Sequence, residues 1–244
     1  MTNAAQSQLA GKTALIFGGT SGIGLEAAIQ AKRQGAKVIV VGLGKASAAK
    51  VAEEHGFDGW RAADVTDSSA LEDALKDIPT VDHLVLLAGT FVAGKVRDAE
   101  VTYLRRAFDE RIWAAVTVIR ALGDRLSTDG SITLISGNLA DRPNAYGTAV
   151  LAAASAAMEA FARGLALELA PVRVNTLSPG PTDTPILHKA LGDAREGFVE
   201  GLKKTLPLHR LGTPAEAGAG VVFLMTNGFM NGATLNLDGG ARLV

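Results

Sequence analysis

The stretch Thr13-Ala-Leu-Ile-Phe-Gly-Gly-Thr-Ser-Gly-Ile-Gly24 constrains this chain most. Thr13 to Phe17 is a short apolar run of β-formers, and glycines follow at 18, 19, 22 and 24. Over residues 25–34, Leu25, Ala28, Ile29 and Ala31 are set against Glu26, Gln30, Lys32 and Arg33, the pattern of an amphipathic helix. Gly35 stands where a C-terminal glycine would stop it. Strand, glycine turn and helix in that order open a βαβ unit. Such a turn favours a pyrophosphate, because glycines let the backbone approach closely and the free N–H groups and dipole of the helix N-terminus attract anions.

The spacing is its own. Gly18-x3-Gly22-x-Gly24 is not the G-x-G-x-x-G pattern, and Gly19-x4-Gly24 has P-loop spacing but continues Leu25-Glu26 where Lys-Ser/Thr is required. Composition removes other readings. A formal net charge of −1 gives no electrostatic case for nucleic acid or an anionic membrane surface, so neither is expected as a partner. The absence of cysteine excludes disulfides, thiolate nucleophiles and zinc–thiolate sites. His55, His83, His188 and His209 have no ligand-like spacing, and no metal site is expected. Residues 1–10 are polar and read as no signal peptide. No unbroken apolar run approaches the roughly 18–20 residues of a membrane span. The expectation is a cytoplasmic protein whose 244 residues, 48% hydrophobic, form one domain over 1–244.

Residues 37–41 predict a second strand, with four consecutive β-branched residues suited to burial on both sheet faces. Ser47 is placed to cap a short helix to about residue 55. Further strands are expected at 57–62, 83–87, 131–136, 173–177 and 233–237. Helices are expected from 67 or 68 to 76, from about 101 to 126, from about 149 to 170, and from 214 to 225. The last has Thr213 as N-cap and Pro214 at its first position. Residues 179–207, rich in Pro, Gly, Thr and Asp, read as an irregular lid or substrate loop. This alternation predicts an α/β fold, a Rossmann-like doubly wound parallel sheet of about seven strands in a three-layer αβα arrangement. Small side chains at 152–157 (Ala-Ala-Ala-Ser-Ala-Ala) let another helix approach closely, within the monomer or across a subunit interface.

In this context the glycine turn, ending in Gly-Ile-Gly, resembles the short-chain dehydrogenase/reductase family, whose signature is Thr-Gly-x3-Gly-x-Gly; Phe17 replaces the leading Thr. The resemblance runs from Gly11 to the Leu-Asp-Gly-Gly ending at residue 240. It implies a nicotinamide dinucleotide held at the turn by Gly18, Thr20, Ser21, Gly22, Ile23 and Gly24. Asp64-Val65 matches the family's Asp-Val pair at the adenine. Ala88-Gly89 keeps the second half of Asn-Asn-Ala-Gly, with Leu86 and Leu87 replacing the asparagines. Residues 178–185 resemble the Pro-Gly segment, so Pro179, Gly180 and Thr184 would hold the nicotinamide amide, and Asn175 also fits. A carboxylate ending strand two would bind the ribose 2′-OH, but Gly42 stands there and Lys45 is close enough to reach a phosphate. NADP is therefore favoured, with NAD as the alternative. The resemblance also implies a homodimer or homotetramer built through 101–126 and 149–170.

The family's catalytic pattern is broken. That chemistry uses a Tyr as proton donor or acceptor, with a Lys four residues on along the same helix face. A Ser polarises the carbonyl and an Asn completes the relay. The downstream match from Glu159 to Pro171 puts Leu151 at the Tyr position and Ser155 at the Lys position, and no lysine occurs between Lys95 and Lys189. Arg111 holds the Asn position. Ser136 survives, or Gly137 is the true match. The candidates are Ser136, Tyr146 as an acid supplied from the loop, and Arg111 as a fixed charge that cannot shuttle a proton. Asn138, Asp141 and Arg142 lie near them in sequence. The expected function is NADP-linked oxidoreduction of a small-molecule carbonyl/alcohol pair with altered proton transfer. A non-catalytic dinucleotide-binding protein and a non-redox enzyme of elimination or isomerisation stay open.

Overall fold

The computed structural model describes residues 8–244, so most of the polar stretch read for a leader lies outside the described residues. Seven strands, β1 (Thr13–Phe17), β2 (Lys37–Gly42), β3 (Gly59–Ala62), β4 (Val81–Leu86), β5 (Leu126–Ile135), β6 (Arg173–Pro179) and β7 (Thr234–Leu237), form one sheet in the order β3-β2-β1-β4-β5-β6-β7. All of its pairings are parallel. The helices are α1 (Gly22–Arg33), α2 (Lys45–His55), α3 (Ser68–Leu75), α4 (Val101–Phe108), α5 (Ala114–Leu122), α6 (Ala149–Glu168), α7 (Pro185–Leu191), α8 (Arg195–Thr205) and α9 (Pro214–Thr226). A π-helical turn, Asp109–Trp113, joins α4 to α5.

The two-residue period of the strands divides the core. Ala14 and Ile16 of β1 face Ala27, Ala28 and Ala31 of α1 and Val221 and Met225 of α9. Leu15 and Phe17 face the other way, onto Leu71 and Leu75 of α3, Val118 and Leu122 of α5, and Met158 and Ala162 of α6. Burial of each large side chain contributes about 1.5–3 kcal/mol. The chain runs β1-β2-β3 outward, then returns to place β4 on the other side of β1. That reversal leaves a crevice beyond the carboxyl ends of β1 and β4, where doubly wound sheets bind ligands.

Several boundaries differ from the sequence expectation for local reasons. The expected helix over 101–126 is three pieces: α4, the π turn and α5, which stops where Gly123 takes φ +50. Arg125 then donates to the carbonyls of Leu75, the last residue of α3, of Ile78 beyond it, and of Ala121 and Leu122 in α5, tying two helix ends together. Leu126 already belongs to β5, which is longer at its start than the expected 131–136. Helix α2 begins at Lys45 with Gly44 as N-cap, three residues before the expected cap at Ser47. Strand β3 starts at Gly59, not 57, and β4 runs 81–86 instead of 83–87. Residues 179–207 are not irregular throughout, since they contain α7 and α8. Pro185 opens α7 as its first residue instead of breaking it. Helix α8 buries no residue, so no apolar stripe announces it. Helix α6 is long and apolar enough to cross a membrane by length and composition alone; here Met158, Ala162, Leu165 and Ala166 pack into the core.

Candidate active site

The glycine turn after β1 is built for close approach. Gly18 has φ +75, a left-handed backbone that favours glycine, and a Cβ there would meet the backbone of Leu87 and Ala88 at about 3.0 Å. A Cβ at Gly24 would overlap the carbonyl oxygen of Gly18. The start of α1 is therefore pressed against the end of β1. Ser21 caps α1 in extended conformation without a side-chain hydrogen bond to the first turn, and its side chain is exposed. The first-turn N–H groups of Gly22, Ile23 and Gly24 thus have no side-chain cap, the arrangement that favours a bound anion at a helix N-terminus. Ile23 anchors the turn by packing on the α1 side of the core.

Beside this turn, β2 ends at Gly42. A Cβ there would sit 2.7 Å from the Thr20 methyl and 2.9 Å from its hydroxyl. Thr20 thus fills the space an acidic side chain at 42 would need. Lys45, exposed, is the first residue of α2, whose Gly44 cap brings no side chain and whose first turn has no acid. On the next edge, Asp64 is exposed and its Oδ1 accepts from the N–H and the hydroxyl of Thr66, so the carboxylate also closes its own turn. Val65 packs against the core and lines a small internal cavity with Phe17, Leu86 and Ala88.

The segment after β6 covers the turn. Thr184 and Pro185, at the start of α7, lie 3.5–3.7 Å from where a Gly22 Cβ would be. Residues far apart in the chain thereby meet at the glycine turn. Gly180 is pressed on Asp238 at the end of β7, where a Cβ would come within 2.7 Å of the Asp238 Cα, and Pro179 ends β6. Asp183 holds the lid helices together, accepting from Arg195 at 2.6 Å and contacting the His188 ring at 3.0 Å. These contacts pull its carboxyl below the ordinary range, Arg195 contributing most. Asn175 takes another place than the cofactor crevice: fully buried, it donates to the Met230 carbonyl and accepts from the Ala233 N–H, fixing the approach to β7.

At the substrate end the sequence candidates separate. Ser136 is buried, and its one hydroxyl proton is directed at Glu159 Oε1 (2.8 Å) and the Ser155 carbonyl (3.0 Å). It cannot donate to a substrate carbonyl without giving these up. Tyr146 is 80% exposed on a turn whose backbone N–H is held by Asn144 Oδ1. Its side chain is mostly in solvent, and the Arg111 guanidinium donates to backbone carbonyls instead of to its phenol. Asp141 and Arg142 are drawn to the C-terminus, through Arg242 at 3.8 Å and the Val244 carbonyl at 3.0 Å. Leu151 is buried with Val92, Leu104, Ala107 and Ala154, and Ser155 is buried beside it on α6.

Arg111 lies in the π turn that interrupts α4–α5. Its guanidinium donates to the Thr90 carbonyl (3.0 Å) and the Ala107 carbonyl (3.3 Å), and a Gly89 Cβ would touch its Cζ at 3.4 Å. Thr90 also donates its N–H (2.6 Å) and hydroxyl (2.8 Å) to Glu110, whose other oxygen is held by Arg106. This clamp of Thr90 and Glu110 escaped the sequence reading. The Arg106/Glu110 pair at i, i+4 was its legible half; nothing in the sequence marked Thr90. Arg111, Glu110, Ala88, Ile135 and Met158 line a small, mostly apolar cavity of about 10 Å³ under the carboxyl ends of β1, β4 and β5, room for about one water molecule.

A doubly wound sheet with a glycine-rich first turn and a site at the strand reversal defines a nucleotide-binding class. The comparisons make it specific. A family model described as enoyl-(acyl carrier protein) reductase matches residues 18–242. A short-chain dehydrogenase/reductase, ATR9, of Stachybotrys chlorohalonatus is 32% identical, over 96% of this chain and 98% of its own. A solved short-chain dehydrogenase/reductase family protein is 34% identical with a TM-score of 0.87, covering 97% of this chain and 100% of that one. A small-chain dehydrogenase solved in complex with NADPH is also 34% identical, with a TM-score of 0.83 over 96% and 99% of the two chains. The chain belongs to the short-chain dehydrogenase/reductase family, a family of oxidoreductases.

Proposed function

We propose that this chain is an NADP(H)-linked oxidoreductase of a carbonyl/alcohol pair that handles its proton without a Tyr–Lys couple. The observation that carries the reading is the turn itself: Gly18 and Gly24, where only a residue without a Cβ fits, let the end of β1 pack directly against an α1 N-terminus that has no side-chain cap. Those residues fit a pyrophosphate. Thr20 against Gly42 excludes a ribose-binding carboxylate, and Lys45 with the open start of α2 offers positive potential to a 2′-phosphate. The 34%-identical relative that holds NADPH supports the same choice. When bound, the nicotinamide supplies or accepts the hydride, and the protein orients it. Ala88 and Gly89 keep the end of β4 free of large side chains, and Thr184 lies beside the turn.

Fluorescence titration with NADPH and NADH tests this reading. Tighter NADPH binding is expected. Equal or tighter NADH binding overturns the 2′-phosphate preference, and binding of neither overturns the site. One observation favours a second reading: Leu151 and Ser155 are buried at the two positions where the family places its proton machinery. A dinucleotide-binding protein without turnover, or one doing elimination or isomerisation, has no use for that couple. Following NADPH absorbance over a panel of carbonyl compounds separates these from oxidoreduction. The same reading includes a homodimer or homotetramer, supported by the exposed stripe Ala153, Ala156, Ala160, Gly164 and Leu167 on α6 and by Trp113 on the adjoining π turn.

A further inference from the structure

Thr90 is exposed, yet its N–H, hydroxyl and carbonyl are all bound by the protein. Glu110 Oε2 accepts from the N–H at 2.6 Å and from the hydroxyl at 2.8 Å, and the Arg111 guanidinium donates to the carbonyl at 3.0 Å. Consecutive side chains of an α-helix diverge by about 100°. Glu110 and Arg111 nonetheless converge on one residue, and both stand in the π turn between α4 and α5. Glu110 is itself only 5% exposed, and its other oxygen accepts from Arg106 Nε at 2.9 Å. Water would satisfy an exposed loop backbone, whereas a carboxylate withdrawn from water is destabilising unless it is fully hydrogen-bonded. Charge-assisted bonds offset that cost here, and what they fix is the backbone at Thr90.

Fixing Thr90 fixes its neighbours. Gly89 precedes it with φ +151, which side chains rarely tolerate, and the Arg111 guanidinium lies 3.4–3.5 Å from where a Gly89 Cβ would be. One residue earlier, the Ala88 nitrogen is 3.0 Å from the place of a Gly18 Cβ, so the end of β4 is pressed on the glycine turn. Arg106, Glu110, Thr90, Gly89, Ala88 and Gly18 thus form one line of contact from the surface of α4 to that turn. In the proposed cofactor site the 2′-phosphate end belongs to Gly42 and Lys45 at β2, and the pyrophosphate to the turn after β1. Strand β4 stands on the far side of β1 from β2. A dinucleotide laid across the strand reversal therefore has its nicotinamide half at the end of β4. We propose that Glu110 is a positioning residue for that half. It does not touch the cofactor; it holds the Gly89–Thr90 backbone that borders the nicotinamide riboside. This role rests on the dinucleotide reading and adds to it the residue that orders its nicotinamide side.

Isothermal titration calorimetry of the whole protein tests the assignment, with NADPH and with adenosine 2′,5′-bisphosphate, which is its adenosine half alone. Glu110→Leu strands no buried partner, since Thr90 is exposed, Arg106 is half-exposed, and both can turn to water. Its NADPH affinity is expected to fall by at least about tenfold, the worth of one hydrogen bond to a charged group. Its affinity for the bisphosphate is expected to stay at the wild-type value. Glu110→Gln, which keeps an oxygen for Thr90, is expected to regain most of the NADPH affinity. Thr90→Val loses the hydroxyl bond alone and should show the same contrast at about threefold. Being at an exposed position, it carries the test if Glu110→Leu does not fold. Equal losses for the two ligands overturn the inference, because they make the clamp a support of the whole fold. Unchanged NADPH affinity in these variants overturns it as well. A wild type that prefers NADH removes the 2′-phosphate preference alone, and the contrast is then read with NADH against ADP. A wild type that binds none of these overturns the dinucleotide reading, and this role with it.

Discussion

Gly24 has no side chain because the carbonyl of Gly18 occupies the space a methyl would take. Gly24→Ala is therefore expected to push α1 away from β1, destabilising the fold by at least about 1–3 kcal/mol, the usual range for overpacking. NADPH affinity should fall with it. Chemical denaturation and fluorescence titration measure the two effects. The same reasoning applies at Leu151. Restoring the family's pair as Leu151→Tyr with Ser155→Lys forces a phenol among Val92, Leu104 and Ala107 and an ammonium into a buried position. The double variant is expected to be less stable than the wild type by denaturant melting. Any carbonyl reductase activity it gains would show that the remainder of the site is intact. A third residue acts far from the crevice. His83, buried against Ser131 (2.8 Å), has its pKa pushed down to about 4, mainly by desolvation. Its unfolded value is near 6.5, so the neutral ring leaves stability intact above that pH. Between pH 6.5 and 4 the unfolded chain takes up the proton first, and the folded state should lose up to about 3 kcal/mol. Comparing the wild type with His83→Gln across that range isolates the loss, since the carboxylates cancel in the difference.

Among the elements, α9 shows what a sequence declares openly. Thr213 accepts from the Glu216 N–H, and the Glu216 carboxylate returns to the Thr213 N–H at 2.8 Å, a capping box that Thr-Pro-x-Glu spells out. Thr213→Ala should destabilise the protein by about 1 kcal/mol, read as a shift in denaturation midpoint. The strands were legible because an all-apolar run such as Val38 to Val41 suits a sheet buried on both faces. The break in the helix over 101–126 was not, because a π turn keeps helical composition and is fixed by tertiary contacts: Thr90 on Glu110, and Arg111 on Gly89. The lid helices escaped for the opposite reason. Their residues are mostly exposed and polar, so nothing periodic marks them. At the site, the glycine turn could be read from spacing, whereas the direction of a hydroxyl proton could not. Ser136 looked available in the sequence and is turned toward Glu159.

The whole molecule places its chemistry at one end of the sheet and much of its ion pairing at the other. Lys12, Asp82 and Asp129 tie together the starts of β1, β4 and β5, away from the crevice. The outer face of α6 is left for assembly in the proposed oligomer. Ala160→Arg on that face is expected to convert the assembly to a 25.1 kDa monomer by light scattering. A monomeric wild type at micromolar concentration would contradict the assembly itself. The contact of Thr184 with the Gly22 turn has a kinetic meaning. A dinucleotide seated on that turn would lie beside Thr184 and Pro185, so its release is expected to depend on how readily residues 182–205 move aside. Its residence time should therefore follow the mobility of two small helices that Asp183 ties to each other, more than the strength of its own phosphate contacts. Stopped-flow displacement of NADPH would then give a dissociation rate that quickens in Asp183→Ala, while the association rate changes little.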